Sequence, residues 1–201
     1  MNLQSTFLGW VLRMPLIKRW GLMHSFKVED IAQHSHQVGV IAHLLGVIGN
    51  TQFGKNWNCE KLATLGLYHE MSETKLQDQN SITKYSDPTY TKEYKKLERL
   101  AEEDCLSTLP KNLQEYMRPF IIQDEVDKDE KRLVKAADNI AAYLKCLDEM
   151  KFNNPEFEDA KINLEYKLSD AQQEFEEVAY FMRTFVRKCT ATVDELTPTT
   201  V

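Results

Sequence analysis

Asp30-Ile31-Ala32-Gln33-His34-Ser35-His36-Gln37-Val38-Gly39-Val40-Ile41-Ala42-His43-Leu44-Leu45 sets the period of the chain. Ile31, Val38, Ile41, Ala42 and Leu45 recur at a spacing near 3.6, which predicts an amphipathic helix from Asp30 to about Asn50. The same period extends outward on both sides. Leu62, Leu65 and Gly66 predict a helix over 58–70. Asp87-Pro88 reads as an N-cap followed by proline at the first helical position, opening a charged helix to about Ser107. Leu113, Tyr116, Met117 and Phe120 form a shorter stripe, and 128–150 reads as a long helix. Asn154-Pro155 repeats the cap-plus-proline signal before a last helix to about Arg187. Residues 70–86 are polar and irregular, and read as the longest loop. The tail from Thr197 to Val201 is expected to fray.

Composition narrows the class. The chain has 201 residues, 42% of them apolar, enough to bury one core, so a single domain over 1–201 is expected. With only 7 Gly and 6 Pro a turn-rich all-β fold is disfavoured, and all-α is the expected fold class. The net charge of −6 argues against a nucleic-acid polymer as partner, which needs a basic face. It is compatible with a small phosphorylated ligand held by one or two arginines. No apolar run approaches the roughly 20 residues of a membrane span, so no membrane is expected. Residues 7–12 are too short for a secretory leader and run into Arg13. Cys59, Cys105, Cys146 and Cys189 are scattered with no CxxC pair, which disfavours a thiolate zinc centre; reduced thiols in the cytoplasm are expected.

Several helices carry His or acidic residues on apolar faces. His34 lies with Ile31, Val38 and Ile41; His69 with Leu62, Leu65 and Gly66; Glu70 with Ala63, Gly66 and Leu67; Asp138 with Val134, Ala141 and Ala142. A buried carboxylate is costly unless compensated. Either a divalent cation or a neighbouring Lys, Arg or helix end would compensate Asp138. Each histidine taken singly also suits a hydrogen-bonded core residue. Taken jointly, the two His and two carboxylates supply mixed N/O donors suited to Mn, Co, Ni, Fe or Zn. Glu73, one turn after His69, is either a general acid or base beside that centre or a solvated loop residue. Arg19 offers a planar fork for phosphate and Trp20 a flat face for a sugar or base, or else the two are a surface Arg beside a core Trp. His36 and His43 share another face and read as structural. Tyr166, Phe175, Tyr180, Phe181 and Phe185 read as core or dimer packing, and a homodimer is the expected assembly.

The order His34, His69-Glu70, Asp138 resembles the H…HD…D signature of HD-domain metal-dependent phosphohydrolases. The likeness extends to Leu16-Ile17-Lys18-Arg19-Trp20-Gly21-Leu22-Met23, Gln33-His34-Ser35-His36-Gln37-Val38, Tyr68-His69-Glu70-Met71-Ser72-Glu73, Lys84-Tyr85 and Ala137-Asp138-Asn139-Ile140-Ala141-Ala142-Tyr143-Leu144-Lys145-Cys146-Leu147. These segments are similar to the bacterial HD-domain 5′-deoxynucleotidases, over about Phe7 to Arg187. The resemblance implies a single all-helical HD domain and one divalent ion (Mn, Co, Ni, Fe, Zn or Mg). It also implies a nucleoside 5′-monophosphate as substrate, whose phosphate is removed. His34, His69 and Asp138 match metal ligands, and Glu70 stands where the family has Asp. Glu73 matches the catalytic acid. Arg19 and Trp20 match residues that hold phosphate and sugar, and Asp78 an acidic residue on the sugar side.

Two departures stand out. Glu70 reaches about 1.5 Å further than Asp, one C–C bond. Gln77-Asp78-Gln79-Asn80-Ser81-Ile82 stands where the family has Gly-Asp-Leu-Pro-Thr-Pro; loss of the prolines predicts a less rigid loop. Two alternatives follow: a nucleotide- or metal-binding protein with little or no turnover, and an enzyme for another phosphoester such as a nucleoside triphosphate.

Overall fold

The helices begin where short polar side chains cap them. The computed structural model describes residues 4–197; residues 1–3 of the expected 1–201 domain, and 198–201 of the tail expected to fray, lie outside the described residues. After α1 (Phe7–Val11) and a 3-10 turn at Met14–Leu16, Asp30 and Gln33 form a reciprocal capping box that opens α2 (Ile31–Phe53). Gly54, at φ 63°, closes that helix in the left-handed region. Asn58 caps α3 (Cys59–Tyr68) by accepting from Lys61 N at 2.9 Å. The expected loop over 70–86 is not wholly irregular: it holds α4 (Glu73–Leu76) and α5 (Ser81–Lys84). Single helical turns of this length leave no period to read. Asp87 caps α6 (Pro88–Ser107), as its sequence predicts, and α7 (Lys111–Ile121) follows. Asp127 caps α8 (Lys128–Lys151).

The expected last helix to Arg187 is corrected. Asn154-Pro155 opens a 3-10 turn, Pro155–Phe157, and the remainder is broken into α9 (Glu158–Glu174), α10 (Glu176–Thr184) and α11 (Val186–Cys189), before α12 (Val193–Leu196). The first break falls at Phe175, whose backbone turns extended at φ −122° and ψ 111°. Its ring is buried beside Trp57, with centroids 6.4 Å apart. Burying an aromatic ring is worth a few kcal/mol, and that packing outweighs helix continuity at this point. Among the described residues there is no strand, only an isolated bridge between Lys18 and Asp30. No helix among them is long and apolar enough to cross a membrane.

Helix α2 is the axis of the main core. Val38, Ile41, Ala42, Leu45 and Ile48 pack with Leu62 and Leu65 of α3, Leu133, Ala137 and Ile140 of α8, and Val178 and Phe181 of α10. At one point the seam between α2 and α3 is backbone on backbone: a Cβ built on Gly66 would lie 2.8 Å from Gly39 Cα, closer than real atoms approach. A second cluster (Phe7, Met14, Met71, Cys105, Leu106, Ile121) ties the N-terminal segment and the turn after α3 to α6 and α7. Buried Glu149 accepts from Phe26 N at 2.9 Å and Lys27 N at 3.0 Å, pinning the segment after Trp20 onto α8.

The loop that departs from the family carries strain and its own brace. Asn80, in place of a proline, accepts from Ile82 N at 2.9 Å and caps α5, so side-chain capping holds the loop where a ring would have. Gln77 sits at φ 63° and ψ 169°, a region that glycine occupies and other residues avoid. Gln77→Gly should therefore stabilise the fold by about 1 kcal/mol, strain relief exceeding the entropic cost of glycine. A thermal melt should show Tm up by roughly 2–4 °C; an unchanged or lower Tm would mean that the conformation is not strained.

Candidate metal centre and substrate pocket

His34 comes from the first turns of α2, His69 and Glu70 from the end of α3, and Asp138 from the middle of α8. One donor atom from each lies within 4.8 Å of all the others. His34 Nε2 is 2.9 Å from Asp138 Oδ1 and 3.9 Å from Glu70 Oε1, and His69 Nε2 is 3.2 Å from the same Glu70 oxygen. Donors of one ion stand roughly 3 Å apart, since each lies about 2.0–2.2 Å from it. His69 Nδ1 lies 2.7 Å from Gly66 O, which fixes the ring and leaves Nε2 as the free lone pair. Despite these short distances, His34 Nε2 and His69 Nε2 are buried without an aligned hydrogen-bond partner. Buried nitrogens near carboxylate oxygens yet not aimed at them are what a shared third point produces. The donor set therefore fits a divalent ion.

The charge states of His34, Glu70 and Asp138 suit a cation, while His69 without an ion leans toward the protonated form. Burial and the nearby Arg19 guanidinium lower the His34 pKa, keeping the imidazole neutral. Burial would lower His69 too, but the Glu70 carboxylate outweighs it and the pKa is raised. Burial works against the charged forms of Asp138 and Glu70, yet both pKa values are lowered: Asp138 by Lys135 and His34, Glu70 by His69 and Arg19. Both carboxylates are ionised. The pKa of Glu73 moves the other way. Burial, then the negative charges of Glu70 and Asp78, raise it well above the usual carboxylate range.

Glu73 does not lie on a continued α3, because that helix stops at Tyr68. Tight turns (Met71 N to Tyr68 O, Glu73 N to Glu70 O) and the buried Met71 fold it back, leaving Glu73 buried with Oε2 unpartnered. Arg19 donates from Nε to Glu29 Oε2 at 3.2 Å and from Nη1 to Glu70 Oε1 at 3.4 Å. Trp20, at φ 59°, donates from Nε1 to Glu29 Oε2 at 2.8 Å and from its backbone to Asp78 Oδ2 at 3.2 Å. The residues singled out from sequence thus meet in one place.

Glu29 is the residue that sequence reading missed. Buried beside the N-cap Asp30, it holds both Arg19 and Trp20. A carboxylate one position before a cap reads as helix-start charge, and no spacing signals its long-range role. His36 and His43, read as structural, face solvent instead. Asp138 has both of the neighbours considered for it: the ligand cluster, and an ion pair with Lys135.

A family model described as 5′-deoxynucleotidase YfbR-like matches residues 6–189. The 5′-deoxynucleotidase of Vibrio cholerae serotype O1 is 44% identical over 193 residues, covering 96% of this chain and 98% of that protein. The one from Photorhabdus laumondii is 39% identical, over 96% of each. Among solved structures, an HD-domain phosphohydrolase from Listeria innocua superposes with TM-score 0.80 at 18% identity, over 94% of this chain and 90% of that one. The cyanophage S-2L HD phosphohydrolase, bound to dA and one catalytic Zn²⁺, superposes with TM-score 0.67 at 16% identity, over 94% and 99%. The all-α architecture is thus the HD-domain fold.

Proposed function

Because the chain belongs to the YfbR-like 5′-deoxynucleotidase family, we propose that it hydrolyses the phosphate ester of (deoxy)nucleoside 5′-monophosphates with a divalent ion held by His34, His69, Glu70 and Asp138. The observation that carries this reading is the pair of buried imidazole Nε2 atoms, unaligned with the ionised carboxylates beside them. Bound there, the ion supplies Lewis-acid polarisation of a phosphoryl oxygen and a more acidic water. Two imidazoles with two carboxylates suit Zn, Co, Mn, Ni or Fe better than Mg, which prefers oxygen donors; the zinc of the cyanophage neighbour supports that choice.

Arg19, braced by Glu29 and Glu70, turns its remaining N–H groups to the phosphate and offsets its charge. Trp20, fixed by Glu29 and Asp78, covers the sugar, and Asp78 lies on that same side. Water oxygen attacks phosphorus as the P–O5′ bond breaks. Protonated Glu73 gives its proton to the departing O5′ and is reprotonated by the proton that the attacking water gives up, yielding nucleoside and phosphate. One domain over 1–201, a homodimer and a cytoplasmic setting complete the proposal. The cysteines are free, in keeping with a reducing compartment, and exposed Leu8, Leu12 and Leu16 offer apolar surface to a second copy.

Phosphate release from a nucleotide panel with Mn²⁺, Co²⁺, Zn²⁺ or Mg²⁺ tests the reading. Deoxynucleoside 5′-monophosphates should turn over with an added ion and not in chelator. Nucleotide binding without release would favour the binding-protein alternative.

A further inference from the structure

Asp138 uses its two carboxylate oxygens differently. Oδ1 lies 2.9 Å from His34 Nε2, on the side of the ligand cluster, while Oδ2 is held by the Lys135 ammonium. Lys135 stands one turn earlier on α8, and its side chain is 62% exposed where that of Asp138 is 11% exposed. The ammonium therefore marks the boundary where the buried centre opens to solvent. Charge balance makes that position consequential. Arg19 and a divalent ion offset the carboxylates of Glu29, Glu70 and Asp138, leaving no surplus positive charge for a phosphomonoester carrying about −1.5 to −2. An ion on Asp138 also repels the neighbouring ammonium, which reaches the buried carboxylate from a largely exposed side chain and so has solvent on its other side. The unbranched lysine stem lets its head move to the nearest new anion.

We propose that Lys135 is a substrate-binding residue: its ammonium rests on Asp138 Oδ2 in the ion-free protein and passes to the substrate phosphate, opposite Arg19, once the ion is bound. This inference rests on the nucleotidase reading and deepens it.

Lys135→Met and Lys135→Arg test it through three measurements. Calorimetric titration of Co²⁺ into ion-free Lys135→Met should give affinity equal to or a few-fold tighter than wild type, since a competing cation is gone. Titration of inorganic phosphate into the Co²⁺-loaded variant should show binding about 10-fold weaker. In turnover, KM should rise about 10-fold with kcat within a few-fold, and the salt dependence of kcat/KM should flatten, because an exposed steering charge is what salt screens. Lys135→Arg should keep most of the wild-type behaviour. Weaker Co²⁺ binding with unchanged phosphate binding would overturn the proposal and make Lys135 a prop for Asp138; so would a variant matching wild type throughout. Wild-type protein that releases phosphate from no monophosphate would sink the nucleotidase reading itself, an outcome distinct from a failure confined to the variant.

Discussion

Glu73→Gln is expected to cut turnover by about 10²–10⁴-fold while leaving metal affinity nearly unchanged. The substitution keeps size and shape at a buried position, so the fold and the ligand cluster stay in place. What it removes is the transferable proton. Burial and the neighbouring charges of Glu70 and Asp78 raise the pKa of Glu73, so the acid form persists above the usual carboxylate range, where Glu70 is already ionised. The sign of the pH dependence follows. An acid acts only while protonated, so wild-type kcat should fall as pH rises through the raised Glu73 pKa. The variant should lack that limb. Metal lost together with activity would make Glu73 a ligand, and an unchanged rate would remove it from the mechanism.

The second large effect concerns Glu70. Its Oε1 lies 3.2 Å from His69 Nε2, 3.4 Å from Arg19 Nη1 and 3.9 Å from His34 Nε2. The longer side chain therefore delivers its oxygen to the middle of the cluster. Glu70→Ala deletes a donor and also leaves the buried Arg19 without one of its two carboxylates, so metal binding should weaken by more than about 100-fold, beyond the 10–100-fold typical of outer-shell changes. Glu70→Asp withdraws the oxygen by about 1.5 Å but keeps its charge, and should cost far less. Equal ion affinity for wild type and Glu70→Ala by calorimetry would falsify a ligand role, leaving at most a three-ligand centre.

The elements legible in the sequence are those set by local chemistry. Asp30, Asn58, Asp87 and Asp127 cap the helices that their neighbours predict, because capping needs only a short polar side chain and the next few amides. The inward faces of His34, His69 and Asp138 were legible for a similar reason, since helical spacing carries orientation. What stayed hidden depends on distant contacts. The break at Phe175 has no Gly or Pro to announce it and exists because the ring finds Trp57, far away in the chain. Glu29 meets Arg19 and Trp20 only once the segment after Trp20 folds back over α8, pinned by Glu149. At Gln77 the backbone holds a glycine-like conformation, φ 63°, under a side chain ill suited to it, and no residue type at that position announces the strain.

The Gly39–Gly66 seam has a consequence for the ion. His34 stands five residues before one glycine and His69 three residues after the other, on helices that touch there with the Gly66 Cα directly against the Gly39 backbone. The jaws of the centre are thus set by a spacer of zero thickness. A methyl on Gly66 acts as a shim: it must push α3 off α2, and the two imidazoles open with it. For the proposed centre this puts radius selection at a joint that never meets the ion: Gly66→Ala is expected to shift calorimetric affinity from smaller toward larger divalent ions with every ligand still in place, and an unchanged order of ion affinities would show that the seam does not set the opening.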